Sequence, residues 1–493
     1  MYKNATICAK TNHGMTEAVP IKKGVLQGNI LSPTLFNIFI NDITETLHHD
    51  DSPYVNQASN TKTSCLLYAD DIVLLSTTKI GLQNQLDRLH EYCSSWGLSV
   101  NKTKTKIVIF TKHDPQIELF FKCGENYIEI VNDYKYLGII FHKTGKFTHA
   151  EEHLAKQGIK AMHALRRNVQ GKEMQIDIMT RLFDTLVSPV ISYGAEVWLP
   201  YNRQMTKEHT LSDTFQTYLS PECPTENVHI KFCRSLLGMH KQTMKVPILA
   251  ELGRFPTSLQ MIGQVISFWA HITEAQENSL LKQAYKDMLT WESHKKKWIK
   301  FVENILTKMG FGHVWCNQGT LNSNCLKYSI SNKLQEKYTE FWRDKKRTLS
   351  RLSFYNKITN DYKLQTYLIK CKNKKHRLSM SRLRLSAHEL AIEKGRYHNI
   401  AAKDRLCKSC ATQEDEIHFL DHCSIYDGLR SSFLDTVKKN TNPNSSNLET
   451  ICCEPYKNPS SILPLDNGQA ELAEYVFKCF ESRRGYVHKQ TQS

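Results

Sequence analysis

Two adjacent carboxylates lie between two apolar runs in Leu66-Leu67-Tyr68-Ala69-Asp70-Asp71-Ile72-Val73-Leu74-Leu75, and no other segment restricts the fold as much. Aliphatic runs of this kind read as strands, so the segment predicts a hairpin with its acids at the tip. Two like charges at one turn are costly unless a cation neutralises them, and Mg²⁺ prefers a few carboxylates combined with phosphate oxygens. Asp is also a common turn residue, so an ordinary turn explains this segment equally well when it is read alone.

Upstream, Gly24-Val25-Leu26-Gln27-Gly28-Asn29-Ile30-Leu31-Ser32-Pro33-Thr34-Leu35-Phe36 places a Gly-bounded loop before a helix. Ser32 suits the N-cap and Pro33 the first helical position, and the helix is expected to bury Leu35, Phe36, Phe39 and Ile40. A capped core helix accounts for the Ser-Pro pair and the apolar face. It does not account for Gln27-Gly28, a pair able to approach a base or sugar closely at a helix entrance.

The order G-V-x-Q-G-x-x-L-S-P-x-L-F followed by Y-A-D-D resembles the palm motifs of reverse transcriptases, in the form typical of non-LTR, LINE-like retrotransposons. Further stretches resemble the family in the same order. Ser95-Trp96-Gly97-Leu98-Ser99-Val100-Asn101 with Lys104-Thr105 is similar to its next motif, and Tyr136-Leu137-Gly138-Ile139 to its primer-grip hairpin. Leu186-Val187-Ser188-Pro189, Tyr193-Gly194-Ala195-Glu196-Val197-Trp198 and Glu251-Leu252-Gly253-Arg254-Phe255-Pro256 resemble stretches that commonly follow the thumb. The likeness runs from about residue 10 to residue 425.

That resemblance implies an RNA-directed DNA polymerase, with Asp70 ligating the catalytic Mg²⁺ ions and Asp71 supporting it. Tyr68 would lie near the primer terminus, and Gln27 and Gly28 would line the template and nucleotide pocket. Lys104 would sit near the pyrophosphate, with Lys102 and Lys106 as alternatives, and Tyr136, Leu137 and Gly138 would form the primer grip. The implied partners are an RNA template, a DNA primer and deoxynucleotides. In the family a further metal-binding Asp precedes the Gln-Gly loop, whereas Glu17 is the only acid in residues 1–23. The expectation is a chain truncated upstream of the Gln-Gly motif and weak or inactive as a polymerase by itself.

Near the other end, Cys407, Cys410, His418 and Cys423 give the spacing C-x₂-C-x₇-H-x₄-C, four soft ligands suited to tetrahedral Zn²⁺. His422 competes as a ligand, and buried thiols beside an amphipathic segment (Ile417, Phe419, Leu420) are the alternative reading. Arg384, His388, Glu393, Gly395, Arg396, Tyr397 and Arg405 lead into the cluster much as in the C-terminal zinc knuckles that these reverse transcriptases resemble. The basic approach, Lys372, Lys374, Lys375, Arg377, Arg382 and Arg384, is expected either to touch phosphate or to form a solvated helix face.

The expected fold is α+β: a partial right-hand polymerase palm, a helical thumb, and a helical C-terminal region with a small zinc knuckle. The zones are residues 1–145 (palm), 146–202 (thumb-like helices), 203–227 (polar loop), 228–400 (helical region), 401–430 (knuckle) and 431–493 (linker and terminal helix), the linker being Asn-, Ser- and Pro-rich over residues 440–468. A chain of 493 residues with a formal net charge of +16 has ample core and favours a polyanionic partner. Fifteen scattered cysteines fit a reducing compartment rather than a disulfide scaffold. With no apolar run long enough to cross a bilayer, the expectation is a soluble intracellular protein with no membrane partner, acting on nuclear DNA if it belongs to a retroelement. A non-catalytic RNA- or DNA-binding protein derived from such an element is the second functional reading. A zinc hydrolase is disfavoured, because four closed ligands leave no position for water.

Overall fold

The computed structural model describes residues 6–12, 14–21, 24–26, 28–47, 54–55, 62–111, 119–171, 174–203, 208–292, 295–319, 322–440, 458–463 and 468–492. The chain divides into two units, Met1–Lys146 with Ala275–Lys296, and Phe147–Glu274 with Lys297–Ser493.

In the first unit, Cys65–Tyr68 pairs antiparallel with Asp71–Leu74 in the register Cys65↔Leu74, Leu66↔Val73, Leu67↔Ile72 and Tyr68↔Asp71. Strand alternation sends Cys65, Leu67, Ile72 and Leu74 to one face, where they pack on Ile40, Ile43, Leu47, Leu89, Tyr92 and Cys93. Those residues come from the helices Ser32–Phe39 (with its flanking Ile40), Ile43–Leu47 and Lys79–Ser95. The last of these starts at Thr78, whose hydroxyl accepts from the Gly81 N–H, and stops at Gly97 in the left-handed region. There Leu98 N–H bonds the Cys93 carbonyl and Gly97 N–H the Ser94 carbonyl, the double closure of a Schellman motif. The Trp96-Gly97 pair of the sequence motif is therefore a helix stop.

Two expectations for the helix at Ser32 are corrected. Ser32 does not cap it; the residue is buried inside the first turn, and its hydroxyl donates to the Leu26 carbonyl at 2.6 Å, closing the preceding loop. Phe39 is 39% exposed, with Leu35 and Phe36 half-buried. Only the Phe36–Ile40 stripe faces the core, and Phe39 turns out against Trp96, ring centroids 5.3 Å apart. The sheets formed by the described residues are all two-stranded.

The second unit is helical. Thr148–Asn168, Ile176–Leu186 and Ala195–Asn202 occupy the zone expected to be thumb-like, and Thr257–Glu274 runs through the core with Met261, Ile262, Val265, Ile266 and Trp269 sealed from solvent. Residues 203–227 are not a loop throughout, because Leu211–Tyr218 is a helix with Phe215 and Tyr218 fully buried. The reason is local and tertiary at once: Thr210 and Asp213 form a reciprocal capping box, and the two aromatics lie on the inward stripe. The linker expectation is corrected in part as well. Pro459–Ile462 is a 3-10 turn followed by buried Leu463, and the terminal helix runs over Gln469–Gln492; residues 441–457 lie outside the described ones.

The Glu251–Pro256 motif is a structural clasp. Glu251, fully buried, receives Arg384 Nε at 2.5 Å, while Arg384 Nη2 reaches Gln365 at 2.8 Å and Thr359 at 3.2 Å. Arg254 pairs with Asp184 and donates to His229 Nε2 at 2.8 Å, and Phe255 stacks on Tyr362. Gly253 has φ +61°, and a Cβ there would lie 2.5 Å from the Leu364 backbone nitrogen. Gly253→Ala is therefore expected to lower the stability of the second unit by roughly 2 kcal/mol, from left-handed strain plus a backbone clash. A urea midpoint equal to that of the parent protein would refute this.

Candidate catalytic turn and candidate metal centre

The alternation that buries Leu67 and Ile72 puts Tyr68 and Asp71 on the opposite, open face of the hairpin. Ala69 and Asp70 make the two-residue connection, with Ala69 at φ 51°, a strained conformation for a residue with a Cβ. Asp70, Asp71 and Tyr68 are all exposed, Tyr68 by 62%. A second hairpin, Asp133–Tyr136 with Ile139–His142, turns at Leu137 (φ 43°) and Gly138 (φ 86°). Both left-handed residues match the mirror-type turn that suits twisted strands, although Leu137 is an unusual occupant. Burial, and then the Asp71 carboxylate, push the Tyr136 phenol up, so this hairpin's tip lies within the electrostatic reach of the acidic turn.

Gly28 is exposed at φ +90°, a conformation glycine adopts without strain. Gln27 lies outside the described residues. Lys104 is exposed in a turn organised by Asn101, whose side-chain oxygen accepts from the Thr103 and Lys104 N–H groups at 3.1 Å each. Of the two alternatives to it, Lys106 is engaged by Glu129 at 2.6 Å, whereas Lys102 is exposed like Lys104.

In the second unit the sequence spacing becomes a cluster. One ligand atom from each of Cys407, Cys410, His418 and Cys423 lies within 4.8 Å of the others. Cys423 Sγ is 3.9 Å from Cys407 Sγ and 3.7 Å from Cys410 Sγ. Burial pushes the Cys423 thiol up, with the neighbouring sulfurs adding to it, while the Ser424 hydroxyl pulls Cys410 down. Burial also lowers His418, which favours the neutral imidazole, the form that ligates metal. Its Nε2 is buried without a hydrogen-bond partner, and its Nδ1 lies 3.3 Å from Thr412 Oγ1. A buried ring nitrogen left bare, with the other anchored, is the donor that a metal ligand requires. His422, the competing ligand, is exposed and outside the cluster.

Thr412 and Asp415 escaped the sequence reading. Asp415 accepts from the His418 N–H at 2.7 Å, and the D-x-x-H spacing was the available signal for such a cap. Chain entry is fixed by Cys407 N–H to the Thr412 carbonyl at 2.7 Å, and the cluster closes through Cys423 N–H to the His418 carbonyl at 2.8 Å. The basic approach needs correction. Arg384 is 1% exposed and belongs to the Glu251 ion pair, so it cannot touch phosphate, and Arg377 donates to the Cys371 and Lys372 carbonyls. Lys372, Lys374 and Lys375 are exposed. No helix among the described residues is long and apolar enough to cross a membrane.

A family profile described as "Reverse transcriptase (RNA-dependent DNA polymerase)" matches residues 2–141. The chain is 28% identical over 201 residues to the Retrovirus-related Pol polyprotein from type-1 retrotransposable element R2 of Popillia japonica, covering 39% of this chain and 32% of that protein. It is 34% identical over 139 residues to the corresponding type-2 R2DM polyprotein of Drosophila melanogaster, covering 26% and 13%. It is 26% identical over 190 residues to the RNA-directed DNA polymerase from mobile element jockey of Drosophila funebris, covering 36% and 19%. The chain thus matches about a third or less of the length of each of these relatives.

Proposed function

We propose that this chain is part of an RNA-directed DNA polymerase of the LINE-like, retrotransposon form whose metal-binding turn is Tyr68-Ala69-Asp70-Asp71, a reading supported by the reverse transcriptase profile over residues 2–141 and by the similarity to R2 and jockey polymerases. The observation that carries the proposal is the hairpin register. It anchors one face in a helical core and leaves Asp70 and Asp71 exposed, where a primer end and a nucleotide triphosphate could reach them. The two carboxylates fit part of a divalent-metal site; Asp70 would hold and Asp71 support ions that, when bound, activate a primer 3′-hydroxyl and neutralise the departing pyrophosphate.

The chain's own residues position the substrates. Tyr68 would support the primer end from the same face as Asp71, and Tyr136, Leu137 and Gly138 would hold the primer strand through the second hairpin. Gly28, with Gln27, would admit the template and nucleotide, and Lys104 is the cation for the leaving phosphates. RNA template, DNA primer and deoxynucleotides are the partners in this reading. Cys407, Cys410, His418 and Cys423 fit a closed Zn²⁺ site, a structural cross-link rather than a reaction centre.

A second reading, a nucleic-acid-binding protein without catalysis, is favoured by one sequence observation: the formal net charge of +16 suits a polyanionic partner whether or not a reaction follows. Mg²⁺-dependent primer extension on a homopolymer RNA template separates the two readings. Under the polymerase reading, extension is expected in at least one of two forms, this chain and a longer one that carries the upstream Asp-bearing strand implied by the resemblance. Activity in neither, together with retained nucleic-acid binding, would replace the polymerase reading by the second one.

A further inference from the structure

A cavity of about 320 Å³ opens in the second unit, walled by Arg351, Arg382, Lys394, Arg483 and Arg484, with Glu389 as the acid among its lining residues. Like charges do not gather around a concave space without cost, so the balance of each one is informative. Arg483 is neutralised from behind by a two-point contact with Glu414, at 2.8 and 2.7 Å. Arg351 shares Glu393 with Arg396, at 3.4 and 3.3 Å. Among the described residues Lys394 and Arg484 pair with the solvent-exposed Glu389 at 3.8 Å and Glu481 at 2.9 Å, the kind of pair that contributes little.

Arg382 has no acidic partner among the described residues, and its Nε is buried without a hydrogen bond. His388, 8% exposed, also lines the cavity; its Nε2 is engaged by Glu416 at 3.1 Å, while its buried Nδ1 has no partner. Two buried nitrogens are therefore unsatisfied at the wall of one basic cavity, and such groups are normally paired. Tyr397 also lines it. This ring is 60% exposed, and Arg351 lies over it at 5.9 Å while donating to its hydroxyl at 3.0 Å. An open aromatic face beside a cluster of guanidinium groups is the pairing used to stack a base while holding its phosphate.

We infer that this cavity is a nucleic-acid subsite, which takes one backbone phosphate of a single strand against Arg382, Lys394 and Arg484 and stacks the adjoining base on Tyr397. The inference does not depend on the acidic turn, so it stands or falls separately from the polymerase reading. It also relocates the expected phosphate contact: Arg384 of the basic approach is sealed in the core, whereas Arg382, two residues earlier on the same helix, faces the cavity.

The test uses the full chain without Mg²⁺ or nucleotides, with fluorescent single-stranded RNA and DNA of mixed sequence, titrated at several salt concentrations. Arg382→Ala is expected to weaken binding roughly fivefold and to reduce the salt slope by about one for both strands. Lys337→Ala, which removes an exposed lysine outside the cavity, should leave both within error. Tyr397→Ala should weaken single strands and spare duplex, and a photoactivatable thiouridine strand should crosslink to Tyr397 in the parent protein. If Arg382→Ala proves poorly folded by circular dichroism, Lys394→Gln with Arg484→Gln, both on exposed side chains, carries the same expectation. The inference is overturned if these variants bind with the parent affinity and slope, or if Lys337→Ala has the same effect. It is also overturned if crosslinks map away from the cavity, or if inorganic phosphate at matched ionic strength competes as well as the oligonucleotide does.

Discussion

Cys407→Ser is expected to empty the metal centre and loosen the C-terminal part of the second unit. Cys407 and Cys423 are 4% and 1% exposed, and three sulfurs and an imidazole nitrogen within 4.8 Å of one another form a closed set of soft ligands. Structural zinc sites of this composition contribute on the order of 10 kcal/mol to folding in isolated fingers. A serine in place of one thiolate removes a strong ligand, so most of that contribution is lost. The damage should spread along defined contacts: Phe419 stacks on Phe480 at 4.6 Å, and the Tyr475 hydroxyl donates to the Leu420 carbonyl at 2.7 Å, both on the terminal helix. Metal analysis should give one zinc per parent chain and a large loss for Cys407→Ser and His418→Ala, with faster proteolysis of the terminal helix. His422→Ala should keep its zinc. Stoichiometric metal in Cys407→Ser would mean that the ligand set is different.

Asp70→Asn, made in whichever form extends a primer, this chain or the longer one with the upstream Asp-bearing strand, is expected to slow primer extension about a thousandfold or more, because the proposed metal ligand at the reacting phosphorus is lost. Asp71→Asn should cost less, in keeping with a supporting role. Both side chains are exposed at the hairpin tip, so the circular dichroism spectrum should be unchanged, which separates lost chemistry from lost folding. Single-turnover extension by the Asp70→Asn protein within tenfold of its parent would remove Asp70 from the catalytic role.

Local physics made several features legible. The hairpin at Asp70 follows from two apolar runs and an acidic break, and the Cys-His cluster from cysteine spacing; the stop at Gly97, a glycine after an amphipathic helix, is open to the same logic but reads in the sequence only as part of a motif. Each depends on residues close together in the chain, where strand alternation, helix capping and ligand reach act without help from distant segments. The helix Leu211–Tyr218 shows the limit of composition. Its polar flanks read as a loop, yet a four-residue capping box and two inward aromatics were enough to make it helical.

What the sequence determined by itself was therefore the chemistry available: a paired-carboxylate turn, four soft ligands, and a strongly basic chain. Tertiary structure alone decided which of these groups are free to act. Arg384 and Arg382 belong to one basic run, but Glu251, 133 residues away, takes the first into the core, while the second lies at a cavity wall with no acidic partner among the described residues. His418 and His422 are alternatives by spacing, and only burial separates the ring aimed at three sulfurs from the one in solvent. Pairing and burial are nonlocal because an ion's cost depends on everything that surrounds it, and that surrounding exists only after the chain has folded.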